Sequence, residues 1–124
     1  MISRAENGLF YEVAKEIADH FVYNSAVKES VEKMFLDEGK EIFIQQEKSM
    51  LIRDESQSIL PNITCPTLVI HSTKDKVFTI EEHIELVDHI PSARLAMIED
   101  SGHMSPLEMP QAVTTLLRYW LTYF

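Results

Sequence analysis

Pro66-Thr67-Leu68-Val69-Ile70-His71-Ser72-Thr73-Lys74-Asp75 is the stretch on which the fold turns. Its run Thr67-Leu68-Val69-Ile70-His71 is short, apolar and rich in β-branched residues, with Pro66 before it and Lys74 after it. Such a run suits a strand buried on both faces, as in a parallel sheet. Downstream, Thr79-Ile80-Glu81-Glu82 sets a Glu three residues after a Thr, the pattern of a capping box. It predicts a helix to about Ile90, with Ile84, Val87 and Ile90 inward and Pro91 as its stop. Arg94-Leu95-Ala96-Met97-Ile98 is a second short strand, and Ser101-Gly102-His103 a loop. A last helix runs from about Pro110, a good first-turn residue, to Leu121. Its stripe of Val113, Leu116, Leu117, Trp120 and Leu121 reads as core, and Tyr123 and Phe124 as surface or interface. Strand, helix, strand, helix with so short a crossover implies a parallel pair and a right-handed connection.

Upstream the period changes. Leu9, Phe10, Val13, Ala14, Ile17, Ala18, Phe21 and Val22 recur at a spacing of three to four, one face of a helix. A break follows near Tyr23-Asn24-Ser25. Val27, Val31, Met34 and Phe35 mark a second helix ending at Gly39, and Ile42, Phe43, Met50 and Leu51 a third. The chain therefore divides into a helical segment, 1–58, and a strand-bearing segment, 59–124.

At 124 residues the chain has the length of one ordinary domain. Lys and Arg number 11 against 20 Asp and Glu, a net charge of −9, which disfavours nucleic acid and an anionic membrane surface as partners. No apolar run approaches the ~18 residues of a membrane span. The single Cys65 excludes an internal disulfide framework and suits a reducing compartment. With no signal-peptide pattern at Met1–Glu6, the expected location is the cytoplasm.

Asp75 stands just past the first predicted strand and His103 just past the second. In open α/β sheets, sites form beyond the carboxyl ends of the strands, and adjacent parallel strands bring their loops together. An Asp that accepts from a His ring N–H fixes its tautomer and stabilises the imidazolium. The alternative is a solvated turn Asp and an unrelated loop His. The five histidines, His20, His71, His83, His89 and His103, show no metal-ligand spacing and read as surface groups. Cys65 reads as a small buried apolar residue, and the run Glu29, Glu32, Asp37, Glu38, Glu41 as a solvated helix face. The methionines Met34, Met50, Met97, Met104 and Met109 suit either an apolar pocket or the filling of gaps. No cofactor and no metal are expected.

Two segments carry a family resemblance. Pro66 to Asp75 resembles the segment by which α/β-hydrolases deliver their triad acid. Ser101-Gly102-His103-Met104-Ser105-Pro106-Leu107-Glu108-Met109-Pro110 resembles the loop that delivers their triad histidine. Ile90-Pro91-Ser92-Ala93-Arg94-Leu95 and Leu60-Pro61-Asn62-Ile63 follow the same pattern. The resemblance is closest over residues 53–121, to the branch of enol-lactone hydrolases, C–C bond hydrolases and carboxylesterases. Residues 1–52 resemble the helical cap of those enzymes. It implies a partial α/β-hydrolase fold, with cap-like helices before a short parallel sheet, in which Asp75 is the acid and His103 the general base.

Ser72 stands where the family usually has Gly, and Thr79 where it often has Pro. A larger departure is the nucleophile. In this fold the order is Ser, acid, His, with the Ser in a Gly-x-Ser-x-Gly elbow. Gly8, Gly39 and Gly102 are the only glycines, so no such elbow exists in these residues. Ser72, Ser101 and Ser105 lie near the pair, but nothing in their spacing aims them as a strained turn does. The expectation is a hydrolase piece supplying cap, acid and histidine to a complementary N-terminal half. A small ester, lactone or related carbonyl substrate would then bind only with that half. The alternative is a non-catalytic remnant. In either case the chain alone is expected to be inactive. The uncovered edge of the first strand implies a homo-oligomer, most simply a dimer.

Overall fold

A computed structural model describes residues 1–123; Phe124, expected at a surface or interface, lies outside the described residues. The chain forms two compact units, one of Met1–His20 with Ser25–Asp54, the other of Phe21–Asn24 with Glu55 onward.

The first unit is helical. A short helix α1 (Ile2–Arg4) and a wide turn over Ala5–Leu9 lead into α2 (Phe10–Phe21), followed by α3 (Lys28–Glu38) and α4 (Lys40–Ile52). Gly8 breaks the first of these runs: its φ of 89° lies in the left-handed region that glycine adopts without steric cost. Leu9, expected on the buried face, is exposed beyond that break. Gly39, at φ 91°, turns the chain between α3 and α4. The core comprises Ala5, Val13, Ala14, Ile17, Ala18, Val31 and Phe43. Phe43 packs between Phe10 and Phe35, at ring-centroid distances of 5.5 and 6.3 Å. Met34, Ile42, Met50 and Leu51, expected on inward faces, are exposed. Both α3 and α4 carry too many charged residues around their circumference to bury a full apolar stripe.

The second unit contains two parallel strands, β1 (Thr67–Ser72) and β2 (Ala93–Ile98), joined by helix α5 (Ile80–His89). The register pairs Thr67 with Ala93 and Ser72 with Ile98, so the strands end side by side. A 3₁₀ segment, Gln57–Asn62, precedes β1. A single-turn helix α6 (Ser105–Glu108) and α7 (Pro110–Tyr123) follow β2. Val69, Ile90 and Ile98 are buried.

Four expectations are corrected in this unit. Ile84, on the face of α5 read as inward, is exposed. No residue of α7 is buried, and Leu117 and Leu121 of its apolar stripe are exposed while Trp120 is half-buried. A sheet of two strands offers these helices little to pack against among the described residues. Cys65 is exposed rather than buried, because it lies outside β1, where its carbonyl accepts from the Thr67 and Ser92 hydroxyls. Met97 and Met109 are also exposed, so they fill no gap in a core. Among the described residues no helix is long and apolar enough to cross a membrane.

Candidate active site

β1 ends at Ser72 and the chain turns at once. The Asp75 N–H donates to the Ser72 carbonyl at 3.0 Å, and the Lys74 N–H to the Ser101 carbonyl at 2.9 Å. The second of these bonds joins the two strand-end loops directly. Thr73 continues the ladder by donating to Ile98 at 3.0 Å, and its hydroxyl accepts from the Asp100 N–H at 3.0 Å. Asp100 sits at φ 52°, a left-handed conformation that Asp tolerates better than most residues and that reverses the chain after β2.

These turns bring together the two residues singled out at the strand ends. His103 Nδ1 lies 3.0 Å from Asp75 Oδ2. The other carboxylate oxygen, Oδ1, accepts the backbone N–H groups of Val77 at 2.7 Å and Phe78 at 3.2 Å. Burial, with the side chain only 7% exposed, opposes ionisation of Asp75. The His103 ring and the two backbone N–H groups outweigh that burial and hold the carboxyl below the ordinary aspartate range. A carboxylate can only accept, so Nδ1 carries the proton of the neutral ring and Nε2 is left with its lone pair. The ring is wedged between two phenyl groups, Phe21 edge-on at 4.7 Å and Phe78 tilted at 5.7 Å. Its backbone N–H donates to the Phe21 carbonyl at 2.8 Å.

Of the serines near the pair, Ser101 is fully buried and its hydroxyl donates to the Gly102 carbonyl at 3.3 Å, while Ser72 is buried at the end of β1. Neither is engaged with His103 in the hydrogen bonds of the site.

Two features were not foreseen from the residues. Glu108 is a buried carboxylate, 6% exposed, that accepts three backbone N–H bonds. The one available signal is that Glu108 is the only Asp, Glu, Lys or Arg between Asp100 and Arg118. The other is a histidine pair: His71, read as a surface group, is buried on β1, with Nδ1 3.3 Å from His83 Nδ1. His83 Nδ1 also meets the Thr79 carbonyl at 2.8 Å, so it must be the donor, and His71 Nδ1 the acceptor. Burial first, and then the neighbouring His83, push the His71 pKa below the ordinary histidine value. Among the described residues no three of His, Cys, Asp and Glu converge as metal ligands would.

The model of the α/β hydrolase fold matches residues 8–110, most of the chain. The chain belongs to the α/β-hydrolase fold family. Among curated proteins it is similar to mouse Protein ABHD8, at 37% identity over 59 residues, 48% of this chain and 13% of that protein. Among solved structures, a thermophilic esterase from Thermogutta terrifontis matches 98% of the chain with a TM-score of 0.88 and 26% identity. The enol-lactonase from Burkholderia xenovorans LB400 also matches 98%, with a TM-score of 0.87 and 22% identity. The chain spans 47% of the esterase and 48% of the enol-lactonase, about half the length of these α/β-hydrolase structures.

Proposed function

We propose that this α/β-hydrolase chain supplies the acid and the general base of a hydrolase acting on a small ester, lactone or related carbonyl compound. The observation that carries this reading is the 3.0 Å contact from His103 Nδ1 to Asp75 Oδ2 between the ends of paired parallel strands. In the proposed mechanism Asp75 holds the Nδ1–H tautomer, and His103 Nε2 takes the hydroxyl proton of a nucleophilic serine as its oxygen bonds the substrate carbonyl carbon. The imidazolium then returns that proton to the departing alcohol oxygen. Water repeats the cycle on the acyl-serine and frees the acid.

The serine and the oxyanion donors come, on this reading, from a separate segment carrying a Gly-x-Ser-x-Gly elbow, which these residues lack. That segment is the proposed partner, with a second copy of the chain as the alternative, and the cytoplasm is the proposed location. The neighbours named esterase and enol-lactonase support the substrate class. A non-catalytic remnant is the second reading, favoured by the same missing elbow.

The test is an assay of the purified chain on activated short-chain esters, alone and with the protein encoded immediately upstream, in cis or in trans. The chain alone should give no turnover beyond weak general-base catalysis, a factor of about 10²–10⁴ over solution. With an elbow-bearing partner, turnover should appear and vanish in His103→Ala. Robust turnover by the chain alone that disappears in His103→Ala would place the nucleophile inside it and overturn the reading. An elbow-bearing partner that binds without restoring turnover would leave the remnant.

A further inference from the structure

Glu108 is the one carboxylate in the strand-bearing unit that is buried yet has no place in the mechanism above. Its Oε1 accepts the N–H groups of Tyr23 and Asn24, each at 2.7 Å. Its Oε2 accepts the Gly102 N–H at 3.0 Å. An unpaired buried carboxylate is costly, and three N–H donors are what make this one tolerable. No neutral side chain of the same shape could do the same. A Gln offers one acceptor oxygen and an NH₂ group, and that NH₂ would face an N–H donor wherever it was turned.

The three bonds converge on the histidine loop. Gly102 immediately precedes His103, and the His103 N–H is itself bonded to Phe21, two residues before Tyr23. The two successive peptide N–H groups that lead into His103, those of Gly102 and of His103 itself, are thus tied to one short segment, 21–24, the first through Glu108 and the second directly. The fit is tight. A Cβ at Gly102 would stand 2.6 Å from the Tyr23 nitrogen, 2.8 Å from the Phe21 oxygen and 2.9 Å from Glu108 Oε2. Phe21 in turn supplies the ring that meets His103 edge-on.

We infer that Glu108 is a positioning residue for the general base: by clasping Gly102 to Tyr23 and Asn24, it holds the His103 backbone where the ring can donate Nδ1–H to Asp75. The inference rests on His103 being the base. Glu108 acts through the loop and touches no reacting atom.

The experiment reads the tautomer of His103 in the full chain by two-bond proton–nitrogen correlations at a pH where the ring is neutral. Wild type should hold mostly the Nδ1–H form. Glu108→Gln should lose that majority and drift to the Nε2–H form that an unconstrained histidine side chain prefers, with its circular dichroism retained. Gly102→Ala, which crowds the clasp with Glu108 intact, should shift the same way. A wild type without the Nδ1–H form would overturn the Asp75–His103 pair and the clasp together. A wild type with it, and an unchanged Glu108→Gln, would overturn the clasp alone. If both variants fail to fold, the wild-type chain decides. The Tyr23, Asn24 and Gly102 amides should exchange at least roughly tenfold slower than in an open chain. On warming, their protection and the Nδ1–H form should be lost together. A tautomer that outlasts the protection would overturn the proposal.

Discussion

His71 shows how one residue sets a pH limit. It is buried on β1, and its Nδ1 faces the N–H of His83 Nδ1, 3.3 Å away, as a second and more distant acceptor beside the Thr79 carbonyl. Protonating it would leave two N–H groups facing each other and a charge with little water around it. Burial and His83 therefore lower its pKa in the folded chain. As the pH falls through about 6.5, the unfolded chain takes up this proton first, so stability drops. The loss is complete only below the depressed folded value. Stability measured by urea unfolding should therefore decline on acidification from about pH 7. His71→Leu should flatten that part of the profile, whatever it does to the absolute value. An identical slope in the two proteins would show that His71 does not carry the effect.

At the scale of the element, α5 is held at its start by a reciprocal pair. The Thr79 hydroxyl accepts from the Glu82 N–H at 3.3 Å, and the Glu82 carboxylate accepts from the Thr79 N–H at 2.7 Å. Thr79→Ala should cost about 1 kcal/mol, read as a lower urea midpoint at unchanged slope. Wild-type stability in that variant would mean that the cap contributes nothing. This helix and β1 were legible in the sequence because their signals are local: a cap motif, a proline at each end, a β-branched run. Asp75 and His103 were legible because parallel neighbours carry their loops to the same edge. Glu108 was not, because its partners lie in residues 21–24 and no periodicity points across that separation. Cys65 and the stripe of α7 were misread for a related reason. Apolar character says what a side chain favours, while burial depends on whether another element arrives to cover it.

Over the whole molecule, apolar surface is left uncovered. Leu51 and Ile52 at the end of α4 are 76% and 83% exposed, and Leu121 on α7 is 72% exposed. A sheet of two strands is marginal in water, and each strand keeps one edge outside the ladder. The expected outcome is self-association when no complementary half is present. Light scattering at micromolar concentration should report twice the chain mass. A clean monomer with fully protected β1 amides would overturn that expectation.

The strand-bearing unit is discontinuous: the chain leaves it at Ser25 and rejoins it at Glu55. Residues 25–54 are therefore an insertion, and its two ends are stitched into one unit. A cut after Asp54 leaves no self-sufficient C-terminal piece, since it severs Phe21, Tyr23 and Asn24 from the loop that they anchor. Ordering that loop must await closure of the whole insertion, whose entropic cost grows only slowly with length. Closure entropy alone therefore sets little limit on the length of the inserted helices, while the four residues that precede them stay bound to the geometry of His103.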